Sequence, residues 1–307
     1  MSIPASTAGG LVTYNSNGII IRLEVPLVND LRYDFLAEAI IVKDSLIDDV
    51  PDILFPEEEM SLGNACMKRR REFNAGRWCA RLALAELGIA NFPVLRSMKR
   101  FPIWPPGIVG SIAHTDTYSI AAVGLQKHIL GIGVDVEKVW RCQQSLWDLV
   151  FSEDEKSWLS CLHETAQVPA ATLLFSAKEC FYKYQFALTQ ANIDYREVVF
   201  QLASTDRGFR LTLSKCPLRE VRSCHEVTVA WTYTNGMVVT AVCGNRDRRK
   251  DDRFLTHEQL IDDSSEFLSP VLVSEAILDD VRGRISDQPQ SWNRFKSDHI
   301  EDNKDWL

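Results

Sequence analysis

The chain has 307 residues, 46% hydrophobic and 25% charged, with a net charge of −8. That length admits two ordinary domains, or one duplicated domain with a tail, and the composition is that of a globular protein with a sizeable core. The negative balance excludes general nucleic-acid binding, which needs a basic footprint, and no stretch approaches the roughly 18 apolar residues of a membrane span.

In chain order, residues 18–28 (GIIIRLEVPLV) alternate and are rich in Ile and Val, predicting a strand. Acidic, Pro-containing sequence follows to about Met60. Ser61 to Leu87 has helical spacing, with Phe73, Ala80, Leu84 and Leu87 on one face and Gly88 as the stop. A loop with Pro93, Pro102, Pro105 and Pro106 leads into GSIAHTDTYSIAAVG (110–124) and GIGVDVEKV (131–139), read as two adjacent antiparallel strands. SEDE opens a helix over 152–165, FSAKECFYKYQFAL (175–188) forms another, and strands are predicted at 197–202, 208–213, 226–233 and 237–243.

Helix followed by strands thus occurs twice. The expected fold is α+β, two similar halves over 1–130 and 131–245, although no sequence repeat demonstrates a duplication. Residues 246–307 carry ten Lys/Arg against fifteen Asp/Glu. They are expected to form an acidic tail, flexible or loosely docked, with 268–285 able to make one amphipathic helix. Eight cysteines, none in a Cys-x-x-Cys pair, suggest reduced, mostly buried thiols. With no basic segment and apolar run at the start, the expected location is cytoplasmic.

Four clusters could carry chemistry, and each has a bland alternative. Asp135 and Glu137, two apart on a strand, point to one side with Cα atoms about 6.5 Å apart. They could converge on a hard cation, or simply be exposed acids. Ser176-Ala177-Lys178-Glu179 could be a helix capping box, and Glu179 with Lys183 an ordinary surface pair. The functional reading places Glu179 on a metal and Lys183 on a phosphate. Lys68-Arg69-Arg70-Arg71 and Arg77 offer guanidinium forks for a phosphate or a solvated helix face, Arg70 and Arg77 sharing a side. His114, in GSIAHTD, suits a loop edge near a phosphate or a structural role.

In order, KRRREFNAGR, FPIWPPGIVGSIAHTD, GIGVDVE and FSAKECFYK resemble the Sfp-type 4'-phosphopantetheinyl transferases, and within them the subgroup like the enterobactin-synthase D component. The motifs span residues 60–190, and the element order 18–243. The resemblance implies Mg2+ on Asp135, Glu137 and Glu179, and Lys183 at a pyrophosphate with Lys178 beside it. It also implies Arg69, Arg77, His114 and Lys99 along the nucleotide and its 3'-phosphate, with Glu179 and Lys183 the catalytic pair. It implies a monomer acting on coenzyme A and an apo acyl, peptidyl or polyketide carrier, with no nucleic-acid or membrane partner, in secondary-metabolite or siderophore synthesis. Ala113 departs from the Ser or Thr usual before the histidine, leaving Thr115 or Ser111 to supply that hydroxyl; Cys180 departs less consequentially. The competing readings are an inactive carrier-binding module and a metal-dependent nucleotide phosphoesterase.

Overall fold

The computed structural model describes residues 12–15, 18–21, 40–205, 208–218, 227–234 and 236–245. A hairpin of β1 (Val12–Asn15) and β2 (Gly18–Ile21) comes first. The remainder of the predicted strand 18–28, and the acidic tail 246–307, lie outside the described residues.

Three strands, β3 (Ile40–Leu46), β4 (Ile108–His114) and β5 (Tyr118–Leu125), make an antiparallel sheet in the order β3-β5-β4. Before β4 come α1 (Pro56–Leu62) and α2 (Met67–Glu86). α2 starts at Met67 rather than Ser61 because Gly63, at φ +61°, ends α1 first. Neither β3 nor α1 is predicted: β3 is half-exposed without clean alternation, and α1 is too short to display a period. Residues 108–125 form a hairpin by themselves, so the expected pairing of 110–124 with 131–139 is corrected.

β6 (Ile129–Lys138) instead pairs with the last strand of a second sheet. That sheet comprises β7 (Val199–Thr205), β8 (Gly208–Lys215), β9 (Thr228–Thr234) and β10 (Met237–Asn245), in the order β6-β10-β9-β8-β7. Between β6 and β7 lie α3 (Trp147–Val150), α4 (Glu153–Cys161) and α5 (Glu164–Thr189). α5 is 26 residues long, far more than 175–188, since Pro169 within it and its polar opening conceal the start.

Alternation assigns the faces. Ala121 and Val123 of β5 pack under Ala80, Ala83 and Leu84 of α2. On the opposite face, Ile120 and Ala122 share a core with Ile132, Val134 and Val136 of β6 and Val239 of β10. α5 covers the far face of the second sheet through Leu174, Ala177, Phe181 and Tyr184. The edge of β6 is satisfied across the join, where Val134 N–H donates to Ser111 Oγ at 3.1 Å.

Candidate active site

α5 reaches β6 because β6 has glycine where the two cross. A Cβ on Gly133 would stand 2.0 Å from the Cys180 carbonyl oxygen, so a side chain there would push the helix away. With α5 drawn in, Asp135, on the Gly133 side of the strand, meets two helical side chains. Lys183 Nζ donates to Asp135 Oδ1 at 2.7 Å and to Val134 O at 3.1 Å, and Ser176 Oγ donates to Asp135 Oδ2 at 2.8 Å. Thr240, the register partner of Asp135 on β10, lies 2.9 Å from Ser176 Oγ.

Glu179 sits one turn before Lys183, and the Tyr195 phenol donates to its Oε1 at 2.5 Å. Glu137 follows on β6, with Arg141 Nε 4.0 Å from its carboxylate. Burial, then the charge of Asp135, raises Glu137 well above the usual carboxylate range and raises Glu179 as well. Burial works against the Lys183 ammonium, but Asp135 and Glu179 outweigh it and its pKa rises. Ser176 and Glu179 lie in the middle of α5, so the capping-box reading falls. The real capping box is Ser152 with Glu155, at the start of α4.

Cations gather on the other half. Arg69 Nη1 donates to His114 Nε2 at 2.8 Å, which leaves Nδ1 as the protonated nitrogen, directed to Thr115 O at 3.3 Å. Burial, then Arg69 and Lys183, lowers the His114 pKa to about 3, so the ring is neutral and lies within the field of the Lys183 ammonium. Arg77 is buried against the Phe73 ring, its Nε on Val94 O at 2.7 Å, and burial lowers its pKa to about 9. Arg70 and Arg71 point elsewhere, pairing with Asp52, Glu59 and Asp48. Arg69, not Arg70, is therefore the residue of the run that joins the cluster. Lys99 sits on a hairpin closed by Ile103 N–H to Leu95 O, its Nζ 5.1 Å from the Phe186 ring centre. Phe101 of that hairpin stacks on Phe186 at 3.9 Å, tying it to the end of α5.

Lys178 is not brought to this cluster. Its side chain is fully buried, and its ammonium is spent on Glu155 (2.6 Å), Tyr195 O (2.8 Å) and Val150 O (3.0 Å). A lysine with all three protons on protein oxygens holds structure rather than a ligand. The Ala113 departure also loses its force. Residue 113 faces the core between the sheets, opposite His114, while Thr115 Oγ1 accepts from Thr117 and Tyr118 N–H, and Ser111 from Val134.

Two family models match in series: the 4'-phosphopantetheinyl transferase N-terminal domain over residues 57–124 and the 4'-phosphopantetheinyl transferase superfamily over 131–243. The chain is 32% identical over 197 residues to the 4'-phosphopantetheinyl transferase Svp of Streptomyces mobaraensis, covering 64% of this chain and 80% of that protein. The chain belongs to the 4'-phosphopantetheinyl transferases. Among other relatives of this family, PptT of Mycobacterium tuberculosis is 32% identical over 213 residues, 64% of this chain and 89% of its own. Enterobactin synthase component D of Salmonella typhi is 36% identical over 198 residues, 62% of this chain and 79% of its own. The Sfp-type resemblance is therefore upheld.

Do the residues of this transferase suit a divalent cation? Three carboxylates, two of them raised by burial and then by the charge of Asp135, are hard oxygen donors, which is the chemistry Mg2+ asks for. The donors fit in kind. As they stand, no three His, Cys, Asp or Glu side chains among the described residues are gathered for an ion, and Lys183 and Ser176 hold the two oxygens of Asp135. No helix among the described residues is long and apolar enough to cross a membrane. Sequence reading missed Arg96, whose pKa is lowered by burial and then by Arg100 and Arg69, and whose Nη2 reaches Ser61 O at 3.0 Å. Its only signal was the spacing of Arg96, Lys99 and Arg100 around one Pro-flanked turn.

Proposed function

We propose that this chain moves the 4'-phosphopantetheine of coenzyme A onto a serine of an apo carrier protein or domain, releasing 3',5'-ADP. The observation that supports this reading is an opposed pair of charge imbalances. Burial, with Arg69 among the neighbouring arginines, lowers Arg77 and Arg96, while burial and then the charge of Asp135 raise Glu137 and Glu179. A polyphosphate nucleotide with a bound metal relieves both at once.

In this reading Arg69, Arg77, His114 and Lys99 hold the nucleotide and its 3'-phosphate, and Lys183 turns from Asp135 to the pyrophosphate. Asp135, Glu137 and Glu179 would hold Mg2+, which supplies charge neutralisation at the diphosphate oxygens. The serine Oγ attacks the β-phosphorus, the bond from that phosphorus to the bridging oxygen breaks, and 3',5'-ADP departs with the electron pair. Glu179 accepts the serine proton, its carboxylate standing between the place proposed for the metal and the incoming hydroxyl. Positioning and charge carry such a transfer, so no protein nucleophile is needed.

The test is incubation of the full chain with Mg2+, pantetheine-labelled coenzyme A and an apo carrier. Covalent label on the carrier serine, matched mole for mole by 3',5'-ADP, is expected. Nucleotide cleavage with an unlabelled carrier would establish a phosphoesterase instead, and binding without either product an inactive module.

A further inference from the structure

Glu179 is held by a chain of contacts that begins on another side of α5. Glu155, 3% exposed, accepts from Lys178 Nζ, from Ser152 N–H at 3.0 Å and from Phe200 N–H at 3.2 Å. Lys178 donates in turn to the carbonyl of Tyr195, in the turn between α5 and β7. The phenol of the same Tyr195 reaches back over the helix to Glu179 Oε1. Its ring lies 6.0 Å from that of Tyr182, which limits the directions it can take. A tyrosine gripped at its carbonyl and flanked at its ring offers one hydroxyl to one carboxylate oxygen.

We propose that Tyr195 is a positioning residue for Glu179: it fixes Oε1 and so presents Oε2 to the reacting groups, with the buried Lys178–Glu155 pair as its anchor. The inference rests on the reading of Glu179 given above. A carboxylate that rotates about its last bond offers either oxygen in many directions, whereas one pinned at Oε1 offers the other in few. Partners of this kind, one step removed from the reacting atoms, typically contribute about 10–100-fold in metal affinity or activity. The same contacts explain why lysine precedes the glutamate in Ser176-Ala177-Lys178-Glu179. The two residues point to different sides of α5, and the turn carrying Tyr195 connects them.

Tyr195→Phe isolates the hydroxyl, because it keeps the ring and the carbonyl that Lys178 holds. The expected result is a kcat at least about tenfold lower, with KM for coenzyme A within about twofold. Binding of Mn2+ alone to the full chain, followed by electron paramagnetic resonance without coenzyme A, should weaken about fivefold or more. The melting temperature should stay within about 2 °C, since the packing is retained. A purely structural tyrosine would move the melting temperature and leave Mn2+ binding and kcat alone, and that pattern overturns the proposal. Glu179→Gln, assayed alongside, separates the two claims. If it transfers normally, the reading of Glu179 fails and the role of Tyr195 with it. If it is inactive while Tyr195→Phe matches the parent in kcat and Mn2+ binding, only the role of Tyr195 fails.

Discussion

The two halves use one device for different ends. In the first, buried Glu58 of α1 accepts from Phe55 N–H, from Arg81 of α2, and from Val94 N–H beyond that helix. In the second, buried Glu155 of α4 accepts from Ser152 N–H, from Lys178 of α5, and from Phe200 N–H beyond that helix. Each carboxylate fixes the segment that follows its long helix, and each such segment returns to hold a site residue. The Val94 carbonyl takes Arg77, and Tyr195 takes Glu179. The framework is repeated while the charge presented is reversed. A buried carboxylate with a cation and two backbone amides is satisfied wherever it occurs, so it can be kept while the residues one turn away diverge.

The largest effect that would break this comparison comes from Glu179→Gln. Gln keeps the acceptor for Tyr195 but removes the charge, so transfer should fall by about 10²–10⁴-fold. Because burial and then Asp135 raise the carboxylate, its removal should leave the melting temperature unchanged or higher. Near-normal transfer would strip the second half of its assigned chemistry. Lys178→Met, five residues before Lys183 on the same helix, should act on stability first. It leaves Glu155 buried without its cation and should cost about 3–5 kcal/mol, lowering the melting temperature by roughly 10 °C. Arg81→Met makes the matching change to Glu58. It should cost less, on the order of 1–3 kcal/mol, since the Arg81 side chain is 12% exposed and that of Lys178 fully buried. Equal losses would argue against the difference in burial between the two struts.

Glycine substitutions sharpen the comparison at smaller scale. Gly133→Ala forces a Cβ toward the backbone carbonyl of Cys180, which cannot move without shifting α5. It should cost about 1–3 kcal/mol and lower kcat by moving Glu179 and Lys183 of α5 away from Asp135 and Glu137 of β6. Gly76→Ala, on α2, meets the Ile112 Cγ2 methyl at 2.9 Å. A side chain can turn aside, and alanine gains up to about 1 kcal/mol of helix propensity, so thermal unfolding should show little net change. Similar penalties at both sites would mean that α2 is as tightly seated as α5.

The candidate site residues were easier to read from sequence than the residues that hold them. Strand period put Asp135 with Glu137, and helix period Glu179 with Lys183, because each pair lies within one element; their roles came only from the resemblance of the motifs. The hairpin at 108–125 was blurred into one strand because small residues on both faces remove the alternation that would show its turn. Glu58 and Tyr195 gave no signal, and Glu155 only that of a helix start in SEDE. Their partners lie 36, 45 and 16 residues away, and only the folded chain brings them together. Lys178 was misassigned for the opposite reason, since adjacency to Glu179 in sequence puts two residues about 100° apart around a helix.

The last expected effect concerns the basic half and its ligand. His114 is neutral in the folded chain, its pKa lowered to about 3 by burial and then by Arg69 and Lys183, whereas the unfolded chain titrates near 6.5. Below that value the unfolded state binds the proton and the folded state does not. Stability from this group is therefore complete above about pH 6.5 and falls by about 1.4 kcal/mol per pH unit as the pH drops toward the folded value. Glu137 and Glu179 oppose this slope, since carboxylates with raised pKa values take up protons more readily when folded. Their contribution is shared by His114→Gln, so subtracting the variant's pH profile from the parent's leaves that of the histidine. Gln can still accept from Arg69 through its carbonyl oxygen. Between pH 7.5 and 5, thermal unfolding of the parent should lose stability faster than the variant, and parallel profiles would mean the ring is already charged or exposed. Saturating coenzyme A should then flatten the difference, because a phosphate beside the ring favours its protonated form, while 3'-dephospho-coenzyme A should leave it in place. If both compounds flatten it equally, the charge that His114 meets is not the 3'-phosphate, and the basic half binds another part of the nucleotide.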